Sequence, residues 1–214
     1  MNPYTRKTKS TFALVLLLLL ATATGCASAF GTLAYMWKGD QIDPPCDKMK
    51  GKVAIVCRPR ASTSYQYGDV ANELAKSLNS RISAGIKKPK ECQVVKQQAV
   101  EEYCDNMEAE MNFVEIGKAV GADQVIAIDI LSFNHIAGTE VLQGKADVGV
   151  QLIDVRTGDV LYEPEYLDEY VYPRNYKVSS TEINEYKFRH KFIGRLANYI
   201  SKQFIPYSRF DNDL

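Results

Sequence analysis

The sequence predicts an α/β (α+β) domain in which a small mixed β-sheet of about five strands packs against three or four helices, the last of them a long C-terminal helix. Three observations carry that expectation. The runs 52–58 and 124–133 are short and almost continuously apolar, as strands buried on both faces are. The run 146–152 alternates apolar and polar residues at the period of a half-buried strand. Apolar residues recur at helical spacing over 70–82 and again over 183–204.

The chain opens with Arg6, Lys7 and Lys9, continues through an uncharged apolar run from Phe12 to Ala21, and reaches the small residues Ala23, Thr24 and Gly25 directly before Cys26. That is the order of a secretory signal. The apolar run falls short of the roughly 20 residues needed to cross a hydrocarbon layer about 30 Å thick, so a permanent span is the weaker reading. It resembles a bacterial lipoprotein signal, which implies that residues 1–25 are removed and that Cys26 carries the lipid, palmitate included. Residues 26–51, with Gly39, Pro44 and Pro45 among charges and only Leu33 to Trp37 apolar, read as a lipidated tether. The single domain is expected over 52–206, with a polar tail at 207–214.

Within the domain, Lys52 to Arg58 is a strand stopped by Pro59. Asp69 is placed to cap a helix in which Val70, Leu74, Leu78 and Ile82 recur every fourth residue and which ends near Gly85. Cys92 to Val95 is a short strand, and Gln97 to about Met111 a polar helix with Val100, Tyr103 and Met107 on one side; its Glu101, Glu102, Asp105, Glu108 and Glu110 read as a solvated face. Asn112 and Glu115 have capping-box spacing for a short helix that Gly121 stops. Gln124 to Phe133 is the central strand. Ala146 to Leu152 follows with one face wet, and the turn from Asp154 to Asp159 leads into Val160–Tyr162 as a hairpin. Tyr166 to Tyr172 suits an edge strand ended by Pro173. Ser179 and Glu182 have the spacing of a second capping box, so the final helix is expected from about Thr181 to Phe204, with Ile183, Tyr186, His190, Ile193, Ala197, Ile200 and Phe204 along one stripe and Phe188, Phe192 and Tyr199 widening it.

Two of these segments, Gly117–Ile126 (GKAVGADQVI) and Ile153–Leu161 (IDVRTGDVL), resemble the amino-terminal domain of the Tol system's TolB protein, the curli secretion channel subunits, and the lipoprotein activators of penicillin-binding proteins. The resemblance spans about Lys52 to Phe204 and implies a small mixed sheet packed on helices in an envelope protein. The stretch from Tyr170 to Asn175, together with the signal, is also similar to a group of bacterial lipoproteins and implies no particular activity.

The chemistry is sparse. Lys and Arg total 26 against 26 Asp and Glu, so net charge draws neither nucleic acid nor an anionic bilayer. Four cysteines follow Cys26, namely Cys46, Cys57, Cys92 and Cys104, and can pair in three ways. Cys57 reads as a small buried hydrophobe and Cys92 with Cys104 as the candidate disulfide; without a C-x-x-C there is no redox motif or zinc ribbon. His135 and His190 lack partners at metal-ligand spacing, and nucleophile-elbow, zinc-protease and phosphate-loop motifs are missing, so neither cofactor nor metal is expected. Asp129 lies inside an apolar strand, either pairing with a basic neighbour or, with His135 and Lys145, forming an unfamiliar enzyme site. Tyr170, Tyr172, Arg174 and Asn175 are either a partner surface or the edge of the core.

The reading these features support is a non-catalytic envelope lipoprotein that binds a protein partner or itself, with no small-molecule substrate. It sits on the periplasmic face of a membrane, the outer one preferred because Ala27 stands where some bacteria place an inner-membrane Asp. A subunit of an oligomeric curli-like channel is the alternative, weakened because a membrane hairpin needs about 9–11 alternating residues per strand.

Overall fold

A computed structural model describes residues 41–60, 64–106, 112–165 and 167–208, and of 64–67 the backbone alone. Two units are distinguished. In the first, β1 (Gln41–Ile42) pairs antiparallel with β9 (Tyr207–Ser208). The second, 43–206, holds the sheet and the helices.

Its strands are β2 (Gly51–Pro59), β3 (Cys92–Val94), β4 (Gln124–Gly138), β5 (Val141–Asp154), β6 (Val160–Tyr162), β7 (Tyr170–Tyr172) and β8 (Val178–Ser179). Its helices are α1 (Ser64–Gly85), α2 (Gln97–Asp105), α3 (Phe113–Ala119) and α4 (Glu185–Ser201). The sheet runs β3-β2-β4-β5-β6, with β7 and β8 also joined to β5. It is mixed, as expected: β2 lies parallel to β3 and β4, whereas β4 and β5 are antiparallel. The central five match the anticipated number, and β7 and β8 are short additions that pair with Gly144–Ala146 and Val141–Leu142 of β5.

Side-chain alternation along β4 divides the core in two. Ile126, Ile128 and Ile130 face α1 and α4, where Leu74, Leu78, Ile82, Phe188, Phe192, Leu196 and Ile200 are buried. Val125 and Ala127 face the other way, onto Val100 of α2 and Phe113 and Ile116 of α3. Fully burying one such isoleucine contributes about 1.5–3 kcal/mol, so this doubly covered strand is a major source of stability. In β5 the even positions from Leu142 to Leu152 are buried and the odd ones, Gln143 to Gln151, are only partly covered or exposed, which is the one-sided wetting its alternation implied.

Helix ends depart from expectation. Asp69 is an exposed residue inside α1, which starts at Ser64, because a buried stripe locates the covered part of a helix and not its first residue. Helix α4 begins at Glu185, with the Asn184 side chain accepting a hydrogen bond from the Tyr186 N–H at 2.8 Å. Ser179 instead receives the Thr181 N–H in a turn, and Glu182 N–H donates to the Ser179 carbonyl. Of the expected stripe Ile193, Ala197, Ile200 and Phe204 are buried, whereas Tyr186 and His190 are exposed and Phe188, Phe192 and Leu196 complete the buried side. Helix α3 is capped by Asn112, which accepts from Val114 N–H at 3.0 Å. Helix α2 ends at Asp105, while Met107 to Met111 and Tyr166 fall outside the described residues.

The expected Cys92–Cys104 bridge does not form. Both are free thiols, and they lie on opposite sides of the sheet, Cys92 in the α1/α4 core and Cys104 against the α2/α3 core. Cys46 and Cys57 are also free and buried in the α1/α4 core. Burial pushes all four thiols above their ordinary range, Cys57 the most.

Gly144 of β5 lies directly against Phe192 of α4. A β-carbon there would stand 2.3–2.5 Å from the Phe192 ring. Replacing Gly144 with Ala is expected to cost about 1–3 kcal/mol in chemical denaturation. Gly149→Ala, whose methyl would meet the Asp129 β-carbon at an ordinary 3.7 Å, is expected to cost clearly less.

Candidate functional site

The two motif segments meet at the amino-terminal end of β4. Asp123 N–H donates to the Lys52 carbonyl at 2.7 Å, and the Asp123 carbonyl accepts from Val155 N–H at 3.0 Å. The Asp123 carboxylate accepts from Lys52 N–H at 2.8 Å. Gly51 makes room for this: its φ is +67°, and a β-carbon would lie 2.5 Å from Asp123 Oδ2. Gln124, almost wholly buried, takes the Lys50 N–H on Oε1 at 2.8 Å and gives its amide to the Lys48 carbonyl at 3.1 Å.

On the hairpin side, Asp154 Oδ1 accepts from the N–H groups of Arg156 (2.9 Å) and Thr157 (3.0 Å). The Thr157 hydrogen bond is the leading cause that holds this carboxyl below its usual range. Gly158, at φ +81°, completes the turn. Between the two segments opens a cleft of about 480 Å³ whose polar lining is Lys50, Lys118, Asp123, Gln124, Asp154 and Arg156. Backbone groups already engage both carboxylates and the amide, so the lysines and the arginine are the side chains that can donate to an incoming acceptor. Such a cleft can hold a peptide carbonyl or carboxylate, and its lining contains no histidine, cysteine or hydroxyl side chain.

The residues considered for an enzyme are not gathered. Asp129 projects on the α2/α3 side, paired with Arg58, whose guanidinium lies 4.1 Å from the centre of the Phe113 ring. His135 projects on the α1/α4 side, its Nε2 2.9 Å from Glu185 Oε1 and its ring 6.0 Å from that of Phe133. Lys145 is exposed on β5 opposite Asn134. His190 is an exposed helix-face residue in contact with Glu73, which also meets Arg189 at 3.5 Å. Among the described residues no group of three or more His, Cys, Asp or Glu is placed to hold a metal ion, and no helix is long and apolar enough to cross a membrane.

The tyrosines expected at a partner surface are half-buried. Tyr170 stacks on Tyr199 at 4.8 Å and on Phe192 at 6.1 Å, and Tyr172 stacks on Phe188 at 6.3 Å. They finish the core edge, leaving Arg174 and Asn175 on the surface. Two features went unread in the sequence. The cleft needs the register that sets Val53 and Asp154 beside Gln124. The other is a run of cations at Lys187, Lys191 and Arg195, visible as an i, i+4, i+8 pattern but overshadowed by the apolar stripe of the same helix. Cys26 lies outside the described residues.

No protein-family model matches the chain, and a search of curated proteins finds no match. Among solved structures it is similar to a PelC dodecamer from Paraburkholderia phytofirmans (12% identity, TM-score 0.40, covering 76% of this chain and 94% of that one). It is similar also to a lipoprotein from Neisseria meningitidis (14% identity, TM-score 0.40, 71% and 98%). TolB from Acinetobacter baumannii is more remote, at 14% identity and TM-score 0.25, with 78% of this chain and 31% of that one covered.

Asp129 and Arg58 are each about one-third exposed, so their pairing is screened by water. Asp129→Asn is expected to lower unfolding free energy by no more than about 1 kcal/mol in a urea titration. A several-fold larger loss would mark Asp129 as a core-bearing charge.

Proposed function

We propose that the protein is a cell-envelope lipoprotein, held on a membrane through lipid on Cys26, whose α/β domain is a non-catalytic binding module for a protein partner. The observation that carries the anchor is the order of basic residues, apolar run and Ala23-Thr24-Gly25 before Cys26. Two acyl chains make such attachment durable, each buried methylene contributing about 0.8 kcal/mol.

The binding role is supported by the cleft between Asp123 and Asp154, where structural hydrogen bonds occupy the carboxylates and basic side chains line the opening. The separation of Asp129 from His135 by the thickness of the sheet supports a binding role over a catalytic one. The β4–β5 hairpin packs against α4 on one face and carries β6, β7 and β8 along its outer edge, which favours a self-contained domain over a channel hairpin. The outer membrane, facing the periplasm, is the proposed address because Ala27 follows the lipid-bearing cysteine.

Cells expressing the tagged full-length chain and fed labelled palmitate test the anchor. The unaltered protein is expected to take up label and sediment with membranes, and Cys26→Ala to lose the label. Label that persists in the variant, or never enters the parent, contradicts the reading. Cross-linking in the same cells is expected to capture a partner at the cleft, with capture weakened at least several-fold by Lys118→Glu and Arg156→Glu together.

A further inference from the structure

We propose that the basic side of α4, together with Arg174, docks directly on an anionic phospholipid surface. This contact is additional to the lipid on Cys26 and rests on that reading only for keeping the domain close to a bilayer. The chain as a whole balances 26 basic against 26 acidic side chains, yet α4 carries Lys187, Arg189, Lys191 and Arg195 against the single carboxylate of Glu185. Charge is therefore concentrated on one element of a neutral protein.

Helix geometry sorts those cations. Lys187, Lys191 and Arg195 stand at i, i+4 and i+8 and so share a side of the helix. Lys191 Nζ lies 5.9 Å and Arg195 Cζ 5.6 Å from the centre of the Tyr172 ring. The ring thus gathers two of the cations, and Arg174 follows Tyr172 across Pro173. Lys187, Lys191 and Arg174 are exposed and Arg195 is half-buried; among the described residues none of the four makes an ion pair. Tyr176, 64% exposed and two residues beyond Arg174, adds an amphipathic ring of the kind that settles at headgroup level.

The neighbouring acids do not cancel this side. Glu185 is turned to His135, and Glu73 of α1 to Arg189 and His190. Asp168 and Arg174 both lie near Tyr199, at the end of α4 remote from Lys187, and Glu169 is exposed just before β7. The two acids bound the patch at one end.

Charge complementarity names the occupant. An anionic leaflet favours each nearby lysine or arginine about fivefold, within a Debye length of about 8 Å. The residues between Cys26 and Asp43 span at most about 60 Å, so a lipid on Cys26 keeps that leaflet within reach of the domain throughout its life.

Lysine acylation footprinting tests the contact. The full-length protein is mixed with vesicles of phosphatidylcholine, or of phosphatidylcholine with one-third phosphatidylglycerol, and the vesicles are floated before labelling. At low salt, Lys187 and Lys191 are expected to acylate about fivefold more slowly on the anionic vesicles, with Lys88 unchanged. The difference should disappear in high salt, and Lys187 should lose its protection in the R174Q/K191Q/R195Q protein, which keeps that lysine as the reporter. Equal labelling on both vesicles, or protection that survives high salt, overturns the proposal. Flotation separates it from the anchor: floating with neither vesicle contradicts both, floating only with the anionic ones supports this contact against the anchor, and floating with both at equal labelling supports the anchor alone.

Discussion

The structure depends on one strand being closed in from every side. Over Gln124–Ile128, β4 hydrogen-bonds to β2 along one edge and to β5 along the other, while its apolar side chains are buried alternately under α1 and α4 or under α2 and α3. A backbone in that position has all its polar groups paired and no route for water, so its residues are nearly all apolar. Each helix of the domain has an apolar side because it covers this strand or its neighbours.

That constraint also decides where function can lie. Polar side chains are pushed to the ends and the outer surface of the sheet. At the amino-terminal end of β4 the Asp123 and Asp154 segments are locked together by Gly51, Lys52 and Val155, and a basic-rimmed cleft opens beside them. The same two-sidedness keeps Asp129 from His135 and Cys92 from Cys104. Farther out, α4 buries Phe188, Phe192 and Ile200 and turns Lys187 and Lys191 to solvent. A single amphipathic helix thereby seals the core and carries a charged surface.

Much of this was legible in the residues. Val53 to Cys57 and Gln124 to Ile130 are strands because continuous apolarity over so short a run fits a strand covered on both faces. Gly121 and Gly158 marked real turns. The ends of α1 and α4 were misplaced because Asp69 and Ser179 are good caps by composition, and only tertiary contacts decide that Asn184 does the capping in α4. The tyrosines of β7 were ambiguous since stacking and surface display require the same spacing. The cleft could not be read at all: Lys50, Lys118 and Arg156 are far apart in the chain, and the strand register together with the packing of α3 on Val125 and Val155 brings them near one another.

Native-state amide hydrogen exchange, followed residue by residue, tests the primacy of β4 most directly. The amides of Val125 to Ile130 are expected to be the slowest in the protein, opening only with global unfolding, while those of β7 and β8 exchange through local opening. If the β4 amides exchange as fast as those of β7, or before the α4 helix, the strand is not the element on which the fold depends.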